Sequence, residues 1–158
     1  MKKNQIGWVV GFVDGEGCFC ISFSLRKKMR LGIEVRPSFS VSQKAPSLSS
    51  LKQLQELFQC GGIRYSRRDH TYKFEVRNRQ DLQNKIIPFF QRETFQTEKK
   101  KDFDSFVWIL ALMKRNHHLT KEGMFQILEK AYQMNPSGIR KYTLSQLLEV
   151  ISQSKKDS

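Results

Sequence analysis

The sequence predicts an α+β fold with the order helix, strand, strand, helix, strand, strand, helix, followed by additional C-terminal helices. Three observations support this prediction. Apolar residues before Phe19 recur at helical spacing, and from Phe19 onward the period changes to two residues, which is typical of strands. A second block of two-residue alternation follows an intervening helical pattern. The last third of the chain then returns to helical spacing.

Length and charge limit the possible functions. The 158 residues fit one domain, 1–158, that is long enough to bury a core. Lys and Arg together number 28 and Asp and Glu 15, so the formal net charge is +13. This excess implies a polyanionic partner, with nucleic acid the first candidate and an anionic membrane the second. The three cysteines form no paired motif, which argues against a disulfide framework or a zinc ribbon.

The apolar segment from Ile6 to Val13 is the longest near the N-terminus. It is far shorter than the roughly 20 residues that a membrane-spanning helix needs. It also leads directly into Asp14 and Glu16 without a small-residue cleavage site. We therefore expect no membrane partner and no targeting peptide.

The first predicted helix covers Gln5 to Val13, with Asn4 as its N-cap and Gly15 and Gly17 as its end. Three glycines are spaced by four along it and share one face, where a second backbone can approach closely. These glycines are Gly7, Gly11 and Gly15.

Two strands follow and form the first predicted hairpin. Their buried faces are predicted to carry Phe19, Ile21, Phe23 and Leu25, and then Ile33, Val35, Pro37, Phe39 and Val41. A basic turn from Lys27 to Arg30 joins the strands. Because proline lacks the N–H donor of a strand ladder, Pro37 predicts an edge strand or a bulge.

A helix containing Leu48, Leu51, Leu54, Leu57 and Phe58 is predicted next, with Ser47 as its cap and Gly61-Gly62 as its end. A second hairpin repeats the alternation around a turn near Arg68 to His70. A short helix from about Gln80 to Ile87 is predicted to end at Pro88. The core of the domain is therefore expected at about 5–90.

Three helices are predicted in the remaining third: Lys99 to Met113, Thr120 to Met134 and Thr143 to Ile151. Together they occupy about 99–152. Histidines and cysteines show no ligand spacing there or elsewhere in the sequence, so we expect neither a histidine-metal site nor a thiolate site.

The two acids at the end of the first helix suggest a metal site. If the glycine face packs against a second copy, carboxylates from both copies converge, which is costly unless cations lie between them. Phosphodiester hydrolysis needs such cations to activate water and to neutralise charge at phosphorus.

The nine residues VVGFVDGEG, Val9 to Gly17, together with the two hairpins and the charge, resemble the LAGLIDADG homing endonucleases. The family's leading Leu-Ala is replaced by Val9-Val10. The resemblance implies the αββαββα homing-endonuclease fold, whose antiparallel sheet is saddle-shaped. Because the sequence contains one such motif, it also implies a symmetric homodimer with Gly7, Gly11 and Gly15 at the interface.

The resemblance further implies the roles of individual residues. Glu16 is expected to bind metal, with the Gly15 carbonyl as an auxiliary ligand, and the cofactor is expected to be Mg²⁺, two or more divalent ions shared at the dimer axis. Gln43 matches a polar residue that the family places at the end of the second strand to order water around the metal ions. The family also places a catalytic lysine after the third helix, which here falls within the lysine cluster Glu98-Lys99-Lys100-Lys101. Lys99 is favoured, with Lys101 as its companion. Asp14 is interpreted as structural.

Outward side chains of the four strands are predicted to contact double-stranded DNA, because a two-stranded ribbon fits the major groove. The predicted set is Ser22, Ser24, Arg26, Lys28, Glu34, Arg36, Ser38, Ser40, Arg64, Ser66, Arg68, Lys73, Glu75 and Arg77. The alternative is that they form the solvated face of a half-exposed sheet.

The leading hypothesis is a site-specific, metal-dependent DNA endonuclease that acts as a homodimer on a long pseudo-palindromic site. One alternative is an intron RNA maturase or a non-cutting DNA-binding protein of the same fold. Another is a basic structural protein that binds nucleic acid without sequence preference. The family's habit of residing in introns leads us to expect synthesis inside an organelle, a chloroplast or mitochondrion.

Overall fold

The computed structural model describes residues 2–154. Four strands and six helices make up this part of the chain. The strands are β1 (Gly17–Leu25), β2 (Ile33–Lys44), β3 (Gly62–Ser66) and β4 (Thr71–Val76). The helices are α1 (Lys3–Glu16), α2 (Leu48–Phe58), α3 (Arg79–Asp81, Leu82–Ile86 and Ile87–Arg92 in succession), α4 (Lys99–Lys114), α5 (Lys121–Tyr132) and α6 (Leu144–Gln153). The predicted order of elements is confirmed.

The four strands form one sheet with the order β1-β2-β4-β3. β2 pairs antiparallel with β4 from Phe39, opposite Val76, to Lys44, opposite Thr71. β3 pairs antiparallel with β4 so that Gly62 faces Glu75 and Arg64 faces Lys73. This register places alternate residues of β2, β4 and β3 in rows across each face of the sheet.

Three details of the N-terminal region differ from the predictions. α1 begins at Lys3, with Lys2 rather than Asn4 at the N-cap and without a side-chain cap. It continues to Glu16, because the Gly17 N–H still donates to the Val13 carbonyl. Leu25, predicted to be buried, is 45% exposed because it ends β1 at the start of the turn.

Pro37 predicts an edge strand or a bulge, and the first alternative is wrong for β2 as a whole, since β1 and β4 flank it. The pairing with β4 begins only at Phe39, two residues further along. Pro37 therefore precedes the β4-paired part of the strand, where its missing N–H interrupts no β2–β4 bond.

Pro88 does not end α3, which continues to Arg92. Leu82–Ile86 forms a π-helical turn, and the Ile87 N–H donates to the Leu82 carbonyl five residues earlier. This turn restarts the helix, so that Pro88 occupies one of the first positions of the Ile87–Arg92 segment. A proline is tolerated there because the first N–H groups of a helix have no partner within it.

Contacts divide the chain into two compact units. The first comprises the chain up to Phe19 and Ser38–Lys100. Its core is a cluster of phenylalanine rings: Phe39 stacks on Phe19 with centroids 5.0 Å apart and also contacts Phe90 at 5.7 Å. Val9 and Val13 of α1 are fully buried in this unit.

The second unit comprises Cys20–Pro37 and the chain from Lys101 onward. Apolar residues of the first hairpin and of α4, α5 and α6 form its core, among them Ile21, Ile33, Phe106, Ile127, Leu147 and Ile151. Phe23 stacks on Tyr132, and Arg140 lies over the same tyrosine ring while donating to the Ile21 carbonyl. None of the helices in the described part of the chain is long and apolar enough to span a membrane.

Candidate active site and nucleic-acid interface

The junction between α1 and β1 places Glu16 at an exposed helix end. Glu16 is the last helical residue, and Gly15 before it is exposed as well. Gly17 makes the tight transition into the strand, because a Cβ there would lie 2.7 Å from the Val13 carbonyl oxygen. The backbone therefore turns directly after Glu16 and leaves its carboxylate at the surface.

Asp14 binds a distant segment of its own chain. Its carboxylate accepts hydrogen bonds from the Gln96 N–H at 2.9 Å, the Thr97 N–H at 3.3 Å and the Thr97 hydroxyl at 2.5 Å. Burial raises the pKa of Asp14, but these donors and the nearby Lys99 charge outweigh it, and the net pKa is lowered. The interpretation of Asp14 as structural agrees with this geometry, in which its carboxylate holds the segment before α4.

Lys99 is the first residue of α4, directly after the segment that Asp14 holds. Its ammonium group donates to the backbone carbonyl of Gly17, the residue after Glu16. The favoured lysine is thus brought to the end of α1. Lys101 lies two positions further along the same helix and is exposed. Because residues two apart on a helix project about 200° from each other, Lys101 lies on a different face from Lys99.

Gln43 lies next to the end of β2 and is half-buried. It pairs with Tyr72 of β4, which in turn pairs with Tyr65 of β3. Because β1 and β2 form an antiparallel hairpin, the start of β1 lies beside the end of β2. Gln43 therefore lies at the end of the sheet where β1 begins with Gly17. The amide is therefore placed at the same end of the strands as the acid.

The oxygen donors at the end of α1 fit a hard divalent cation. Glu16 offers a carboxylate without an ion pair or hydrogen bond among the described residues, and Gly15 lies in the last turn, where carbonyl groups lack helical partners. Asp14 is occupied by Gln96 and Thr97. Within residues 2–154 no group of three or more Asp, Glu, His or Cys side chains could hold a metal. One chain thus supplies a single free carboxylate at this place.

The glycine face of α1 is open. Gly7, Gly11 and Gly15 are exposed, and a Cβ built on any of them meets no atom within 4 Å. Trp8 and Phe12 stack beside this face with ring centroids 5.4 Å apart. The helix therefore presents a glycine groove next to an aromatic ridge.

Four predicted DNA-binding residues of the second hairpin form an ion-pair cluster. Glu75 lies 3.0 Å from Arg77, 3.3 Å from Arg64 and 3.5 Å from Lys73. Ser40 lies opposite Glu75 on β2 and is 5% exposed. The prediction that Ser40 is accessible to DNA is therefore wrong, because the residue is buried.

Residues of the first hairpin are also linked to one another. Glu34 pairs with Arg26 at 2.7 Å and accepts a hydrogen bond from the Ser24 hydroxyl at 2.8 Å. The exposed Ser22 hydroxyl donates to the Arg36 carbonyl across the hairpin. The Arg36 side chain is exposed.

The remaining predicted contacts and some omitted ones are placed by the register. Ser38 is half-buried on β2, and Ser66 ends β3. Lys28 and Arg68 lie in the two turns rather than on strands. Ser42, Lys44 and Thr71 were omitted from the prediction but share the outward rows, because Ser42 faces Lys73 and Lys44 faces Thr71. The alternation extends to Lys44 on β2 and back to Thr71 on β4, and could have identified all three.

Comparison with known proteins identifies one matching family, described as LAGLIDADG endonuclease, over residues 9–110. A probable intron-encoded endonuclease of Neurospora crassa is 32% identical over 129 residues, which is 82% of this chain and 27% of that protein. This chain covers 45% of the length of a probable intron-encoded DNA endonuclease of Mycosarcoma maydis. The chain thus spans less than half the length of these curated relatives.

Solved structures match the whole fold. The crystal structure of the homing endonuclease I-TnaI has a TM-score of 0.82 and 37% sequence identity, covering 95% of this chain and 97% of that one. An archaeal intron-encoded homing endonuclease, I-Vdi141I, complexed with DNA has a TM-score of 0.87 and 26% identity, covering 97% and 98%. The predicted fold is confirmed.

Proposed function

This chain belongs to the LAGLIDADG endonuclease family, and from that premise we propose that it is a site-specific, metal-dependent endonuclease of double-stranded DNA. It acts as a homodimer on a long pseudo-palindromic site. The chain is encoded within an intron, as the names of its curated relatives state for those proteins, and is made in an organelle.

The observation that carries this proposal is the contact of Lys99 with the backbone beside Glu16. A lysine more than eighty positions further along the chain donates to the Gly17 carbonyl, and the Asp14 hydrogen bonds to Gln96 and Thr97 hold the segment that precedes it. If Lys99 served only to hold the backbone at Gly17, the free carboxylate of Glu16 beside it would have no part in that role. Here an exposed acid, a cation and a half-buried amide, Gln43, lie at one end of the sheet, which suits hydrolysis of a phosphodiester.

Glu16 and the Gly15 carbonyl are the residues that would hold Mg²⁺, since Mg²⁺ prefers oxygen ligands and accepts one or two carboxylates with water and phosphate oxygens. Bound there, divalent ions supply charge neutralisation at phosphorus and a nucleophilic water. Lys99 and Gln43 orient the surrounding water and the phosphate by hydrogen bonds. Lys101 contributes phosphate attraction only, because it projects from another face of α4.

The shape of α1 supports the proposed homodimer. Its glycine groove admits a second backbone, and the ridge of Trp8 and Phe12 beside it can fit the corresponding groove of a second copy. A two-fold axis through this contact brings both Glu16 carboxylates together and completes a site of which one chain holds half. The two Glu16 side chains and Gly15 carbonyls would hold two or more divalent ions at this axis.

DNA recognition is assigned to the outward rows of the two hairpins. Exposed Arg36 and the Arg26–Glu34 pair contribute on the first hairpin. Arg64, Lys73 and Arg77 contribute on the second, and Ser22, Ser24, Ser38 and Ser66 add hydroxyl groups that accept or donate. Lys28 and Arg68 in the turns are placed for phosphate contacts.

The test uses Glu16→Gln with Glu56→Gln as the matched control, because Glu56 is an exposed acid on α2. Both variants and the wild type are offered a randomised target library with Mg²⁺, and a selected target is then used for binding and cleavage. We expect Glu16→Gln to bind the target but not cut it, while Glu56→Gln does both. Cleavage by Glu16→Gln at the wild-type rate would refute the metal role, and a wild type that binds a target with Mg²⁺ but never cuts would support the non-cutting alternative.

A further inference from the structure

Glu75 lies in the middle of the outward sheet face and is surrounded by cations. Its Oε2 is 3.3 Å from the Arg64 Nη2 and 3.0 Å from the Arg77 Nε, and its Oε1 is 3.5 Å from the Lys73 Nζ. The Arg77 Nη2 also donates to Oε1 at 3.3 Å, so the Arg77 guanidinium contacts both carboxylate oxygens. Such forked pairs are the most directional ion pairs in proteins.

The backbone register explains how one acid accommodates three cations. Glu75 faces Gly62 on β3 and Ser40 on β2, neither of which has a long side chain. Arg64 and Arg77 can therefore fold over the carboxylate from both directions. The Glu75 side chain is 9% exposed, whereas those of Arg64 and Arg77 are 59% and 54% exposed.

This geometry does not fit a direct contact between Glu75 and a base, although Glu75 belongs to the set of side chains predicted to contact DNA. A carboxylate that reads cytosine needs an accessible oxygen, and both oxygens of Glu75 already have cationic partners. Its neighbours remain accessible and keep unused N–H donors, because a guanidinium carries five. What Glu75 determines is where those donors point.

We propose that Glu75 is a specificity-determining positioning residue, which holds Arg64, Lys73 and Arg77 as a fixed donor array for base edges. The inference rests on the proposed DNA recognition by this face and deepens it. Cations that are free to move pair with phosphates, and those contacts are sequence-independent. An arginine whose orientation is fixed presents its fork to guanine. Glu75 thereby lowers affinity for random DNA and raises discrimination.

The test compares Glu75→Gln with Asp69→Asn in the full-length chain. Asp69 is a matched control because its loss changes the charge of the same hairpin equally. It lies in the exposed turn, and its partners among the described residues are Arg68, at 3.8 Å, and the Ser66 hydroxyl. An asparagine oxygen can still accept from Ser66, and Arg68 is assigned to phosphates, whose contacts affect target and random DNA alike. Equilibrium binding is measured without divalent metal over a salt series, on random duplex DNA and on a target that the wild type selects from a library.

We expect Glu75→Gln to bind random DNA more tightly with a steeper salt dependence, and its ratio of target to random affinity to fall roughly ten-fold. Asp69→Asn should keep the ratio within about two-fold. Equal ratios for the two variants, or a higher ratio for Glu75→Gln, would overturn the inference.

A second variant covers the case in which Glu75→Gln fails to fold. Glu75→Asp keeps the charge but shortens the reach, so the ratio should fall while the salt dependence on random DNA stays at the wild-type value. An unchanged ratio would count against the proposal. If the wild type selects no target at all, the proposed function fails, and the salt dependence of Glu75→Gln against Asp69→Asn on random DNA still tests whether Glu75 restrains the cations.

Discussion

Replacement of Gly11 by alanine separates the stability of one chain from its association with a second. Gly11 lies in the middle of the open glycine face, and a Cβ built there meets no atom within 4 Å. In an isolated chain the substitution adds only helix propensity, which favours alanine over glycine by about 1 kcal/mol in a helix interior. The single chain should therefore become more stable.

The effect on the dimer has the opposite sign. If two α1 helices pack through their glycine faces, the added methyl groups force the backbones apart, and overpacking of this kind costs about 1 to 3 kcal/mol. A cost of that size raises the dimer dissociation constant roughly 5- to 150-fold, at about 1.4 kcal/mol per factor of ten. Cleavage at limiting protein concentration should fall with it.

Two measurements check the prediction. Denaturation at a concentration where the chain is monomeric reports the first effect, and sedimentation over a concentration series reports the second. Ser49→Ala on the exposed side of α2 is the control, because it raises helix propensity without touching α1. A dimer of Gly11→Ala as tight as the wild type would refute packing through this face, and a less stable monomer would refute its openness.

Three further predictions concern the end of α1. Asp14→Asn should destabilise the chain by about 1.5 kcal/mol at pH 7. Because the pKa of Asp14 is lowered on folding, this contribution is present above the ordinary pKa of 3.8 and is lost as the pH falls through the folded value, so urea denaturation at pH 7 and pH 3 should show the difference shrinking. Lys99→Met should abolish cleavage and keep target binding, whereas Lys101→Met should cut at nearly the wild-type rate in the same assay. Gly17→Ala should lower thermal stability through a clash with the Val13 carbonyl, at a cost of about 1 to 3 kcal/mol by calorimetry; an unchanged melting temperature would show that the turn can relax.

Much of the fold was predictable because it depends on local patterns. The two-residue alternation identified all four strands, and the helical spacing identified α4 to within one residue. α2 starts after Ser47 as predicted but ends at Phe58, because Gln59 rather than Gly61-Gly62 takes the left-handed C-cap conformation. The errors occurred where a distant partner or an unusual hydrogen-bonding pattern determines the local structure. Pro88 reads as a helix end, yet a π-helical turn before it lets the helix restart. The flanking of β2 by β1 and β4 depends on strand order, which alternation does not encode.

The candidate site was predictable in residue type and less so in arrangement. The motif predicts Glu16, and the lysine cluster favours Lys99, with Lys101 as its companion, without fixing the register. The choice depends on the Asp14 contacts with Gln96 and Thr97, which join positions 82 and 83 residues apart. Glu75 and Ser40 were misjudged for a similar reason, since alternation shows which face a side chain shares but not which neighbours occupy it.

The two motif acids differ in their partners, and this difference bears on the charge at the axis of the proposed dimer. Residues two apart on a helix project about 200° from each other, so Asp14 and Glu16 cannot both face one partner. Asp14 is directed into its own chain, where Gln96 and Thr97 compensate its charge, and Glu16 stays exposed. In the proposed dimer, a two-fold contact through the glycine face would therefore bring together two free carboxylates instead of four. Two divalent ions can neutralise two carboxylates and still attract the phosphates of DNA, whereas four carboxylates would leave no net positive charge at the axis.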